Sequence, residues 1–414
     1  MQSVQSETAA AFSLLSAQAV RERAQRMLAL GLDDKLPHFR VDFARLDGVV
    51  DLVLRTTRQN YPILDVPFHS RWRHFVCNGE DRWASLAKAA KWSDDAAKAR
   101  AAFDLAIVSV LLDAGAGPQW RYHDATTGQS IGRSEGLALA SFSMFSRGDF
   151  SSRPGDPLRV DAERLTRLSK DAVADGLQAS NANPLIGLEG RADLLRRLGT
   201  IVAAKPDIFA RNDTPRPGGL FDHLAALAEH RAISAPKILS ELLHCFGPIW
   251  PSRLTLGGVP LGDCWRHPSL TVPDATNGLV PLHKLSQWLA YSLIEPLQWA
   301  GLSVTDIDGL TGLAEYRNGG LFIDTGVLTF RDPADAAHQH DVASTLVVEW
   351  RALTVALLDR LAAEMRRQLK MDEQAMPLAK VLQGGTWSAG RIIAGELRAD
   401  GSPPVKVVGD GTVF

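Results

Sequence analysis

Residues 101–114, AAFDLAIVSVLLDA, are apolar on nearly every face of a helix, and this constrains the fold more than any other stretch. A helix without a polar face has to be wrapped by other elements. The window 105–112, bounded by Asp104 and Asp113, is too short to span a bilayer, so it predicts a central core helix in a soluble protein. At 414 residues the chain exceeds the ~250–300 residues at which single cores stop growing. Two intimately packed helical lobes forming a single catalytic unit over 1–414 are therefore expected.

Apolar residues at three-to-four spacing predict further helices at 8–30, capped by Gly31, and at 44–58, 135–146, 160–175, 190–203 and 220–245. Two more are expected at 281–300, with Pro281 in its first turn, and at 343–370, whose second half is solvated. QWRYHDATTGQSIGRSEG reads as a β-hairpin turning at Thr127-Gly128. The fold class is mainly α with a few short β-hairpins, a loop-rich region at 147–220 and a C-terminal tail, 402–414, that docks back onto the body.

A net charge of −2 and a pI near 6.6 exclude a protein that binds long nucleic acids through a basic field. Cys77, Cys245 and Cys264 lie far apart with no CxxC spacing, which excludes a disulfide framework or a zinc knuckle and fits a reducing cytoplasm. The N-terminus lacks the basic-then-apolar order of a signal peptide. No phosphate-cradling glycine motif is present, so no cofactor is expected, and the implied partner is a small molecule rather than a membrane.

Site candidates stand out where charge interrupts apolar sequence. In DIDGLTGLAEYRNGGLFID, residues 306–324, Asp306, Asp308, Glu315, Arg317 and Asp324 lie beside Gly319 and Gly320, whose missing Cβ atoms admit a closely approaching ligand. The same stretch also reads as a loop with a structural Glu-Arg pair. YPILDVPFHSRWRHF sets His69, Arg71, Arg73 and His74 among aromatic rings. Ser134 can cap the following helix while Arg133 faces its mouth. Asp263 and Arg266 flank Cys264 and Trp265, and can pair with each other. Lys284, Gln287, Tyr291 and Glu295 share one face of the 281–300 helix. GQSIG, 128–132, matches the GxSxG of serine hydrolases, but the chain lacks the alternating strands and helices that motif requires. His338, His340 and Asp341 sit in a polar linker and read as solvated rather than metal-binding.

PFHSRWRHF, the DAGAG-Q-WRY stretch (113–122), RSEGLA, NPLIGLEGR, LGDCWRHP, AEYRNGG, EWRALT and the terminal DGTVF together resemble the fungal and bacterial family of uracil catabolism protein four. That resemblance implies a step in a route that opens the uracil ring and releases urea. VPLHKLSQWL followed by DGLTGLAEYR is similar, over about forty residues, to the queuosine-5′-phosphate N-glycohydrolases, helical enzymes related to DNA glycosylases. Glu315 stands where that family has Asp, and Asn318-Gly319-Gly320 replaces Val-Pro-Gln.

These resemblances imply cleavage of a ribosyl C–N bond through an oxocarbenium-like state, which a carboxylate stabilises. Glu315, Asp308 and Asp263 are the catalytic candidates. Lys284, Gln287, Arg317, Arg266, Arg71, His69, Trp265, Tyr316 and Arg133 are the substrate-binding candidates, and no metal is required. Two rivals remain at this stage. One is an amidohydrolase using Ser130 or Cys264, and the other is a non-catalytic binder of an intermediate.

Overall fold

The computed structural model describes residues 2–210, 213–250 and 254–408. Among them the chain is mainly helical, and its short strands pair only in twos. The longer helices are α1 (Gln2–Ser13), α2 (Ala17–Leu32), α3 (Leu46–Asn60), α4 (Asp95–Leu111), α5 (Arg133–Arg147) and α6 (Leu188–Ala204). They continue with α7 (Gly219–Leu227), α8 (Ala235–Phe246), α9 (Lys284–Trp299), α10 (Tyr316–Asp324), α11 (Thr345–Leu369) and α12 (Trp387–Leu397). None of the described helices is long and apolar enough to cross a membrane.

The described residues form two compact units, one of 2–69, 254–287 and 306–408, the other of 70–210, 213–250 and 288–305. The first is built on α11, in which every residue from Leu346 to Leu358 is buried. Helix α2 packs along it, and α10 packs against α12. Its strand pairs are Phe39–Val41 with Leu328–Phe330 and Cys264–Arg266 with Leu279–Pro281, both antiparallel. Lys406–Val408 runs parallel to Gln339–Asp341, while 409–414 lie outside the described residues.

The second unit is built on α4, whose residues Ala101–Leu111 are all buried, as its unbroken apolarity requires. Asp104 is tolerated inside because it is saturated: it accepts from the amides of Gly218 at 2.5 Å and Val160 at 2.9 Å and from Arg216 Nε at 2.9 Å. The Tyr122–Asp124 and Gln129–Ile131 strands form the expected antiparallel hairpin.

Five boundaries differ from the sequence reading, each for a local physical reason. The 160–175 helix is two short ones, Ala162–Thr166 and Lys170–Gly176, because the Ser169 hydroxyl accepts from Ala172 N at 3.1 Å and starts the second. The 8–30 helix is two helices, because the Ser16 hydroxyl accepts from Ala19 N at 3.2 Å and starts α2 afresh. Gly31 is inside α2 rather than capping it; a Cβ there would lie 2.7 Å from Val41 Cγ2, so the glycine serves close packing. The 220–245 helix is broken by His230 and Arg231 at φ of 50° and 62° into α7, the strand Ala232–Ser234 and α8. Pro281 lies in a strand rather than a first helical turn, because Leu279–Pro281 pairs with Cys264–Arg266 and α9 begins only at Lys284.

Candidate active site

The charges of 306–324 separate into three groups. Asp308 Oδ1 accepts from Leu378 N at 2.6 Å and Arg366 Nη2 at 2.5 Å, in a cleft of about 440 Å³ lined also by Arg21, Asp306, Asp359 and Glu373. Asp324 is held by both terminal nitrogens of Arg398, at 2.8 and 2.5 Å. Only Glu315 and Arg317 remain at the start of α10.

Glu315 is the N-cap of α10, in extended conformation at φ −125° and ψ 170°. Its Oε1 accepts from Asn318 N at 2.6 Å and its Oε2 from Arg317 N at 2.8 Å, which satisfies two of the amides that a helix start leaves unpaired. Burial pushes the Glu315 carboxyl up, while those amides and the charges of Lys284 and Arg317 act in the other direction. The residue as a whole is half-buried. The Arg317 guanidinium donates to Gly401 O at 2.8 Å.

The backbone behind this carboxylate is set by glycines, though not as the sequence suggests. A Cβ on Gly319 would lie 2.6 Å from the Trp350 indole, and one on Gly320 3.1 Å from Pro404. The two glycines thus admit protein and not a ligand. Gly390 of α12 lies so close to the Arg317 carbonyl that no Cβ fits between them. Tyr316 packs its ring 6.4 Å from that of Trp350.

Asp263 is buried and pairs with Arg351 instead of Arg266. The guanidinium meets both carboxylate oxygens at 2.8 Å, Trp265 Nε1 donates at 2.6 Å and Lys284 N at 2.9 Å. Burial alone would raise the Asp263 carboxyl, but Arg351 and these donors hold it well below the usual carboxylate range. A carboxylate with four donors on it fixes structure. It ties the first turn of α9 to α11 and thereby aims Lys284, whose charge acts on both Glu315 and His69. Arg266 is exposed, and its Nη1 lies 3.5 Å from Asn277 O.

Gln287 is fully buried and bonds Thr311 twice, Nε2 to Oγ1 at 2.7 Å and Oε1 from the amide at 3.3 Å. It anchors the segment that leads to Glu315. His69 Nδ1 lies 3.0 Å from Gln383 Oε1, and burial lowers its pKa to about 4, so it stays neutral at physiological pH.

In the second unit Arg71 is enclosed by protein acceptors. Its Nε donates to Ser109 Oγ at 2.6 Å, its Nη1 lies 3.2 Å from both Ser134 Oγ and Asp113 Oδ1, and its guanidinium sits 5.3 Å from the Trp288 ring centroid. Ser134 is two residues too far in to cap α5, which starts at Arg133 after Gly132, and its hydroxyl donates to Asp113. Arg133 is exposed. Among the predicted residues, the first unit thus brings Glu315, Lys284 and Arg317 together on a scaffold of Asp263, Trp265 and Gln287.

The sequence profile of the family described as "Protein of unknown function (DUF1688)" matches residues 13–414. The chain belongs to the DUF1688 family. "Protein urg3" of Schizosaccharomyces pombe is 38% identical over 411 residues, covering 97% of this chain and 98% of that one. "Uracil catabolism protein 4" of Lachancea kluyveri is 36% identical over 414 residues, covering 91% and 92%. The DUF1688 match therefore contains every residue of the cluster.

Sequence reasoning missed Arg351, the partner that fixes Asp263, and the buried pair of His267 Nε2 and Glu349 Oε2 at 3.2 Å. The available signal was EWR in the middle of an otherwise apolar helix: charges kept there need buried partners.

Proposed function

We propose that this protein is an N-glycoside hydrolase that cleaves ribosylurea, or its 5′-phosphate, into urea and the sugar. The observation that carries the reading is Glu315, a half-buried residue whose carboxylate caps a helix start, with Lys284 and Arg317 acting on it. The name of the Lachancea relative, which refers to uracil catabolism, supports a substrate from that chemistry. Each Glu315 oxygen accepts one backbone amide and retains a lone pair. In the reaction the anomeric C–N bond breaks with its electron pair going to the ureide nitrogen, and the sugar becomes cationic beside Glu315. Water adds to the anomeric carbon, passes a proton to Glu315, and that proton ends on urea. Lys284 keeps the carboxylate ionised for the first step.

The direct test incubates purified protein with ribosylurea and with its 5′-phosphate and follows urea and free sugar. Urea release is expected from at least one, and ammonia with a carbamate would point to amide hydrolysis instead. That rival has little support from its nucleophiles. Ser130 sits exposed on a hairpin strand, and burial beside Asp263 pushes the Cys264 thiol far up, away from the reactive thiolate. Ser130→Ala is accordingly expected to leave kcat/KM and Tm unchanged.

The pH profile supplies a further check. Burial raises Glu315, so kcat is expected to fall with decreasing pH through a value above the ordinary 4.5 of glutamate. Lys284→Met removes a charge that favours the ionised form. It should move this acidic limb to higher pH and lower kcat at neutral pH, with Tm changed little. An unmoved limb would detach Lys284 from the carboxylate.

A further inference from the structure

Away from the carboxylate cluster, the second unit gathers a different set of side chains. His223 of α7 places Nε2 2.8 Å from Glu241 Oε2 on α8, and Cys245 follows Glu241 by one helical turn. One ring nitrogen, one carboxylate oxygen and the thiol sulfur all lie within 4.8 Å of one another. We propose that His223, Glu241 and Cys245 form a binding site for a divalent transition cation of the zinc type.

Four features support this assignment. The donor set of imidazole, thiol and carboxylate matches zinc or cobalt and not magnesium or calcium, which take oxygen shells. Glu241 and Cys245 are four residues apart on one helix, so they face the same point without backbone adjustment. The second carboxylate oxygen, Oε1, is held by Lys237 Nζ at 2.8 Å, leaving Oε2 for the cation and supplying the outer hydrogen bond that ligating carboxylates usually carry. Finally, burial is graded: Cys245 is 2% exposed, while the side chains of Glu241 and His223 are 13% and 25% exposed. His223 also lines a cleft of about 610 Å³ with Asp207, Asp222 and Arg231. That gives an entry path from solvent and a side from which a fourth ligand, water or a small molecule, completes the tetrahedron.

On binding, the cation replaces the His223 to Glu241 hydrogen bond and displaces the thiol proton, with no oxidation or reduction. It would tie α7 to α8, remote in sequence from Glu315, Lys284 and Arg317, and the site does not depend on the glycosidase reading.

The test uses the full-length protein stripped with a chelator and titrated with Co(II). The expected result is roughly one cobalt per chain, with the intense near-ultraviolet band of a thiolate-cobalt bond and the visible bands of a tetrahedral site. Zinc should displace the cobalt and raise Tm. Cys245→Ser should abolish the sulfur band, and His223→Asn, a partly exposed position that folding tolerates, should weaken zinc at least ~10-fold. No sulfur band in the wild type, or a band that survives Cys245→Ser, overturns the proposal. Binding without the sulfur signature, as at scattered surface histidines, overturns it equally.

Discussion

Glu315→Gln is expected to lower kcat by roughly 100-fold to 1000-fold on whichever ureide the wild type cleaves, the range lost when a charge-stabilising group is removed from a reacting centre. The substitution also touches the fold. Both Glu315 oxygens accept backbone amides, and the glutamine NH₂ would face one of them, leaving a donor unpaired at about 1–3 kcal/mol. Kinetics should therefore be read well below Tm and beside Glu315→Asp. Aspartate keeps the charge and is a strong N-cap, but it withdraws the carboxylate by one methylene. A Glu315→Asp variant with wild-type stability and strongly reduced kcat would place the effect in the reaction. Wild-type rates in Glu315→Gln would remove Glu315 from the chemistry.

Arg351→Met should give the largest loss of stability, about 3–5 kcal/mol, because it leaves Asp263 buried without its opposite charge. Denaturant titration measures this directly. Replacing both partners with apolar residues of similar volume should recover much of the loss, since the penalty lies in the orphaned charge. The pH dependence follows in sign. The folded pKa of Asp263 is depressed, so its contribution is present above the ordinary aspartate value of 3.8 and is lost as pH falls through the folded value. In Arg351→Met the depression is removed and this contribution is absent, so the stability difference between variant and wild type should be largest near neutral pH and shrink as pH falls below 3.8. A difference that stays constant down through that range would show that the pair does not carry this pH dependence.

The central helix α4 was legible because an all-apolar segment leaves no other option, and Glu315 stood out as a candidate because a charge inside apolar sequence needs a reason to be there. Arg351 as partner of Asp263 was not, since the two are 88 residues apart. Periodicity reports a helical face but not what lies against it. Pro281 illustrates the same limit: proline fits a first helical turn, yet Cys264, 17 residues earlier, claims it by strand pairing. The glycines misled in the opposite direction. Gly31, Gly319 and Gly320 looked like a cap and a ligand approach, whereas each makes room for a neighbouring part of the protein, which no local pattern reveals.

The close contact of Gly390 with the Arg317 carbonyl, and of Gly319 with Trp350, bears on how this site can change over time. A carboxylate placed by side-chain packing can drift, because neighbours repack around a new residue. Glu315 instead starts a helix that meets α12 backbone to backbone at Gly390 and the Trp350 indole of α11 at Gly319, where an added methyl group would run into protein at once. New substrate preferences should therefore arise by changing what surrounds the carboxylate, and laboratory evolution that leaves 319 and 390 untouched would explore the productive part of sequence space.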